Sequence, residues 1–447
     1  MSSRASVYGG QTGAVASEKV LYCAFLLFFL YPFFRDILPF DDLFWALSMM
    51  SGLFVCVYKF NLRMVIPLSS IFWLVLAALA LGAFVLLGPD KTVLPKRMGL
   101  FLISILMMVA LSKNLDWIKP AVLSCLILLS VHALSTVLLN VFPALYDNVI
   151  APRVQGSSVT VIGPKAGLTS HYSYNGQLVA TGLLISYALF KVNTSKNGKK
   201  GRVKFGALTL LFVSALLLTT KRTPLLICIS AMAIIECLTS PRGRVGAVYK
   251  ILCASFAVSV IVVVFGNQIT IISNVMDRLS ALFTASTLEE STTGRTLLWD
   301  RAIQLWNDSP AFGSGWGTYR YYWVGGYQGV SSAAHNVFLQ LLAEVGIFGL
   351  LVFLIPASLV FIGLTRTVLL RVKQGRSSGV GFHGFVDAAL VFAFVYQIYF
   401  LVYCFVGAPL YDFESFPVYF VLSCGVWYSL YESKAYKDRV NLQSIPR

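Results

Sequence analysis

The chain has 447 residues, 57% of them hydrophobic and only 12% charged, with a mean hydropathy of +0.76. A soluble domain carries roughly a quarter charged residues because its surface must face water, so this composition excludes a water-soluble globular protein. The formal net charge of +16 is read as basic cytoplasmic loops that fix orientation and meet anionic lipid, not as a nucleic-acid surface.

Residues 1–18 are polar, and the apolar run that follows leads into further apolar runs, so no cleavable signal peptide is evident. A helix needs roughly 20 apolar residues to cross the hydrocarbon core. Apolar runs of that order predict twelve spans, at 19–34, 43–58, 64–88, 98–112, 120–142, 176–193, 206–220, 224–240, 251–266, 345–365, 385–408 and 415–431. Lys221-Arg222-Thr223-Pro224 separates the seventh from the eighth, since two charges followed by Pro interrupt a helix. The predicted fold is all-α: a polytopic bundle with a large, partly helical loop outside.

With the N-terminus inside, the basic loops at 194–205, 241–250 and 366–384 and the C-terminal tail all fall inside. The acidic turns with Asp36, Asp41, Asp42 and with Asp412, Glu414 fall outside, whereas Lys91, Lys96 and Arg97 sit outside against the rule. The expected division is a cytoplasmic segment 1–18, then spans one to nine over 19–266 with an outer loop at 143–175. A large outer loop follows at 267–334, then an outer-edge helix with spans ten to twelve over 335–431, and a cytoplasmic tail 432–447. All eight cysteines lie in apolar runs with no CxxC or metal-ligand spacing, and are read as packing residues.

Two long loops on one face argue for a site there. Arg222, in the turn beside Lys221, is read either as a snorkelling or topogenic interface charge or, since it faces outward, as a guanidinium placed to grip a diphosphate bidentately. Arg295 opens an amphipathic segment, 294–308, with Leu298, Trp299, Ala302, Ile303, Leu305 and Trp306 at helical spacing. Such a helix either lies flat on the outer leaflet or caps the bundle. Gly313, Gly315 and Gly317, at alternate positions, have the spacing of a backbone nest for phosphate, though a tight loop explains them as well. His335 with Asn336 closes the loop, as a general base towards a hydroxyl or a phosphate ligand, or as a structural histidine. His171, Tyr172 and Asn175 form a second polar cluster at the mouth of the sixth span; His132 and His383 are left as structural. The chain has no GxxxxGK[ST], HExxH or GxSxG motif, and its outer loops have no DxD pair.

Thr293 to Leu350 contains Gly294-Arg295 followed by Trp299, then Ser309-Pro310, Gly313-Ser314-Gly315, Ala334-His335-Asn336 and Glu344-Val345-Gly346-Ile347-Phe348-Gly349-Leu350. This pattern resembles the O-antigen ligase and polysaccharide polymerase superfamily. Lys221-Arg222-Thr223 is similar to that family's Ser-Arg-Thr turn, with Lys in place of Ser, and 167–176 is similar to its Asn-containing segment before a span. The resemblance covers roughly residues 165 to 365 and implies a GT-C-like glycosyltransferase of the bacterial inner membrane with its active face in the periplasm. It implies a donor glycan on undecaprenyl diphosphate and either lipid A–core or a glycan repeat unit as acceptor, with no metal and no other cofactor. It implies that Arg222 and Arg295 hold the diphosphate and that His335 activates the acceptor hydroxyl or steadies the phosphate. Lys221, His171, Tyr172, Asn175, Trp299, Asn336, Gly313 and Gly315 are the expected substrate contacts. Ligase and polymerase stand near even: the paired Arg-x10-Gly motif of some polymerases is absent, with Gly163 one residue early after Arg153 and Gly313 one late after Arg301. The alternative is a lipid-linked oligosaccharide flippase or other transporter; few charges within spans and no internal repeat speak against it.

Overall fold

The computed structural model describes residues 5–59, 68–87, 93–112, 114–154, 163–192, 198–240, 246, 295–319, 333–378, 382 and 384–432, and among these there is no strand. The helices are α1 (Ala5–Phe34), α2 (Asp41–Lys59), α3 (Leu68–Leu87), α4 (Val93–Ala110), α5 (Ile118–Val141), α6 (Tyr172–Val192), α7 (Gly198–Leu218) and α8 (Arg222–Thr239). They continue with α9 (Arg295–Asp308), α10 (Val337–Ser378), α11 (Gly384–Tyr403) and α12 (Gly425–Glu432), the last preceded by a π-helical stretch Val418–Cys424.

Seven of the described helices are long and apolar enough to cross a membrane: α1, α2, α5, α7, α8, α10 and α11. Their outward faces have the chemistry of a lipid-facing surface. On α5 the exposed residues beyond its first turn are Ile127, Val131, Leu134, Leu138 and Val141, an apolar stripe at alternating steps of four and three. On α10 Phe348, Leu351, Ile355, Leu359 and Ile362 form another. A soluble bundle would place charge on those faces. Helix α11 is buried almost all round, and the 415–430 segment is equally enclosed. Helices occupy eleven of the twelve predicted spans; the run at 251–266 lies outside the described residues, as does His383.

The helix ends sort into two faces. On one, Lys119 pairs with Glu18 at 2.6 Å, Lys59 with Asp116 at 2.6 Å, and Arg371 with Asp387 at 2.8 Å. On the other, Arg35 pairs with Asp36 and Glu414, and the Ser170 amide donates to Asp36. In the loop that departs from the charge rule, Lys96 pairs with Asp41 and with Asp42, the latter at 2.6 Å, and Arg97 lies over the Phe413 ring at 5.1 Å, while Lys91 lies outside the described residues.

Helix α10 is broken at Gly346, whose φ of 65° and ψ of −168° are not helical. The carbonyls and amides freed at the break are taken up by the 309–315 loop. The amides of Ser314 and Gly315 donate to the carbonyls of Ala343 and Glu344, and those of Ile347 and Phe348 donate to Pro310 and Ala311. The approach is too close for side chains: a Cβ on Gly346 would lie 2.2 Å from the Ala311 carbonyl oxygen, and one on Gly313 2.3 Å from the Glu344 carbonyl carbon. Two glycines are therefore what permit α9 and its loop to dock on the start of α10.

Candidate functional site

The turn that ends α11 organises the site. A helix C-terminus leaves carbonyls unsatisfied and carries partial negative charge. Here the Val337 amide, at the start of α10, donates to the Cys404 carbonyl at 2.8 Å, and Arg295 Nη1 donates to the Val406 carbonyl at 2.8 Å. Helix α9 is tied in by a third bond, from Trp299 Nε1 to the Ala334 carbonyl at 3.1 Å. Its buried face (Leu298, Ala302, Leu305) packs against α10 and on Tyr319. The amphipathic segment is thus a cap on the bundle that delivers Arg295 to the α11 terminus.

Arg222 arrives from the α7–α8 turn, as the first residue of α8, and stands within electrostatic range of Arg295. Burial and, more weakly, Arg222 lower the pKa of the Arg295 guanidinium, against the opposing effects of Tyr403 and Tyr172. Two of the three non-glycine residues with left-handed backbone among the described residues flank these groups: Thr220 at φ 54° and His335 itself at φ 51°. A β-branched residue in that region is a genuine outlier, and such strain persists only where surrounding structure enforces it. At His335 the enforcement is visible in the bonds of Ala334 and Val337 on either side.

Tyr172 closes the third side. Lys221 Nζ lies over its ring at 4.1 Å, and the His171 imidazole stacks on it at 4.6 Å. Burial first, then Lys221, push His171 down to about 4; its Nδ1 accepts the Ser173 amide at 2.9 Å. His171 is therefore a neutral residue that caps the start of α6.

Several expected substrate contacts are engaged elsewhere. Asn175 is fully buried; its Nδ2 donates to Thr136 Oγ1 at 2.9 Å and to the Lys165 carbonyl at 3.0 Å, pinning the 163–169 loop to α5. Asn336 Oδ1 accepts the amides of Phe338 and Leu339, which is helix capping. The indole N–H of Trp299 is used within the protein. The amides of Gly313 and Gly315 donate to the Ser309 and Glu344 carbonyls, so they do not form a phosphate nest. In each case spacing and polarity were right for a ligand, but an internal partner lies closer.

The sequence reading missed a buried polar layer next to Arg295. Tyr403 is hydrogen-bonded to Gln177 and within range of Arg295, Asp412 and Tyr174. Gln177 Nε2 donates to Asp412 Oδ2 at 3.1 Å, and Ser415 Oγ donates to Gln177 Oε1. Arg35 spans from Asp36 to Glu414, with its guanidinium 4.4 Å from the Phe413 ring centroid. The signal available was acidic residues in turns between apolar runs, which had served only to orient the chain.

Residues 207–354 match the family model described as O-antigen ligase. The chain carries an O-antigen ligase-family segment. No curated protein matches the chain. The O-antigen ligase segment is a third of the chain, and it includes the turn with Lys221 and Arg222, helix α9 with Arg295, and His335 at the head of α10. It supports membership of the O-antigen ligase/polymerase superfamily, and with it an enzyme of polysaccharide biosynthesis with O-antigen ligase-type function. Tyr172, Tyr403 and the Arg35–Glu414 layer lie outside the matched segment, and Lys221 of that segment stacks on the Tyr172 ring.

Proposed function

We propose that the protein is a metal-independent glycan transferase of the bacterial inner membrane, working at its periplasmic face on a glycan carried by undecaprenyl diphosphate. The observation that carries this reading is that Arg295 is bonded to the turn ending α11 and lies within electrostatic range of Arg222, while Val337, two residues after His335, is bonded to the same turn. Two neighbouring guanidiniums, one of them largely buried, repel each other and lose hydration. A diphosphate placed between them relieves both penalties and accepts bidentate hydrogen bonds.

In the reaction, an acceptor hydroxyl oxygen attacks the anomeric carbon as the bond from that carbon to the diphosphate oxygen breaks. The electron pair leaves with undecaprenyl diphosphate, whose developing charge Arg222 and Arg295 stabilise. His335 takes the hydroxyl proton. The left-handed backbone at His335 is held by the bonds of its neighbours Ala334 and Val337. The acceptor is lipid A–core, making the protein a ligase, or a glycan repeat unit, making it a polymerase. Lys221 and Tyr172 form the wall on which a donor sugar would rest, and membrane lipid presents the polyprenyl chain.

The test is to supply purified protein with undecaprenyl-diphosphate glycan and each acceptor in turn. Release of undecaprenyl diphosphate with one acceptor and not the other separates ligase from polymerase. Passage of glycan across liposomes without release would establish a flippase instead.

A further inference from the structure

The transfer step gives no task to Gln340, although it is bonded to the chain on both sides of His335. Its main-chain amide donates to the Asn336 carbonyl at 3.0 Å, and its side-chain Oε1 accepts the Ala334 amide at 3.3 Å. One residue thus holds the neighbour before His335 and the neighbour after it. Ala334 is gripped at its other end as well, since its carbonyl accepts Trp299 Nε1. Gln340, Ala334 and Glu344 are all buried, so a bond left unmade among them would strand a polar group without a partner.

The Gln340 amide has a donor end and an acceptor end, and only one way round serves Ala334. Glu344, four residues on along the same helix face, sets it. Glu344 Oε1 accepts Gln340 Nε2 at 3.1 Å and the Tyr319 amide at 3.3 Å. Meeting that oxygen with its nitrogen turns the oxygen of Gln340 towards Ala334. Tyr319 is fixed in turn, its hydroxyl donating to the Leu298 carbonyl of α9 at 2.6 Å. Every link from α9 through Glu344 and Gln340 to the residue before His335 is a hydrogen bond, and a buried chain satisfied in this way fixes one geometry.

We propose that Gln340 is a positioning residue for His335: oriented by Glu344, it holds the left-handed main chain from which the imidazole meets the acceptor hydroxyl. It acts on transfer only through His335. The inference rests on the transferase reading above.

The experiment is a double-mutant cycle on transfer kinetics with the purified full-length protein, undecaprenyl-diphosphate glycan and the productive acceptor. Gln340→Met keeps the length of the side chain and removes both of its hydrogen bonds. It is expected to lower kcat about tenfold, the scale of a partly misplaced catalytic group, with donor KM changed less than about twofold. In a His335→Ala background the same change is expected to cost less than about twofold, because groups that act as a unit are not additive. An unchanged kcat in Gln340→Met overturns the proposal. So do equal losses in both backgrounds, since damage to the fold alone lowers both alike. If Gln340→Met does not fold, the cycle is decided on Gln340→Asn, one methylene too short for the Ala334 bond, with the same two outcomes. Failure of both variants to fold makes Gln340 a determinant of the fold and overturns the positioning role as well. A wild type that transfers nothing sinks the transferase reading and this inference together; an active wild type with an additive cycle sinks the inference alone.

Discussion

At the scale of single residues, burial decides which polar groups act and which hold the fold. His171 was legible as a polar residue at a helix mouth, yet burial and Lys221 keep it neutral down to about pH 4. A limb in the pH–rate profile above pH 5 is therefore not its own, and the His171→Asn variant should retain that limb. Disappearance of the limb in that variant would assign it to His171 after all. Glu414 makes the opposite case. Burial raises its pKa, against the pull of Arg35, so the folded state holds a proton that the unfolded chain releases near pH 4.5. Its contribution to stability is present below that pH and is lost as pH rises through neutrality. Thermal unfolding in detergent across pH 4.5 to 8 should show a flatter decline for Glu414→Gln than for the wild type. Parallel curves would contradict it. Such shifts could not be read from the chain, because they depend on which turns meet: Arg35 and Glu414 are far apart in sequence and adjacent on one face.

Among the elements, the apolar runs were the most legible feature, because lipid demands long uninterrupted stretches of them. The Lys221–Pro224 interruption marked the α7–α8 turn, and the spacing from Leu298 to Leu305 marked α9. The break in α10 was not legible. Gly346 within an apolar run looks like any small residue in a span, and only the approach of the 309–315 loop gives it a task. Gly346→Ala would place a Cβ against the Ala311 carbonyl in a left-handed backbone that alone costs about 1–2 kcal/mol. It should lower the melting temperature more than Asn336→Ala, which removes a helix cap worth about 1 kcal/mol. The reverse order would mean that the loop does not dock at the break. The glycines at 313 and 315 show the same lesson: a spacing that fits phosphate also fits a helix break, and the break takes the amides.

For the whole molecule, the two faces follow from charge pairing across helix ends. The positive-inside count predicts an orientation, and in the one loop that misfits it Lys96 pairs with Asp41 and Asp42. On this account a cysteine introduced at Ser170 in a cysteine-free background is labelled by an impermeant maleimide in intact cells, and one introduced at Lys119 is labelled only after permeabilisation. Equal labelling would refute the two-face arrangement. The bundle's purpose in this scheme is to bring a lipid-linked diphosphate to the α11 terminus, to which Arg295 and the head of α10 are bonded. The most direct measurement is the rate of undecaprenyl diphosphate release from a lipid-linked glycan by the purified protein, with its acceptor, in the wild type and in Arg222→Ala, Arg295→Ala and His335→Ala. Loss of an electrostatic or acid–base contact of this kind costs about 10²–10³-fold, and the account predicts that drop in all three with intact folding. Release that persists at the wild-type rate in Arg295→Ala and His335→Ala would contradict it.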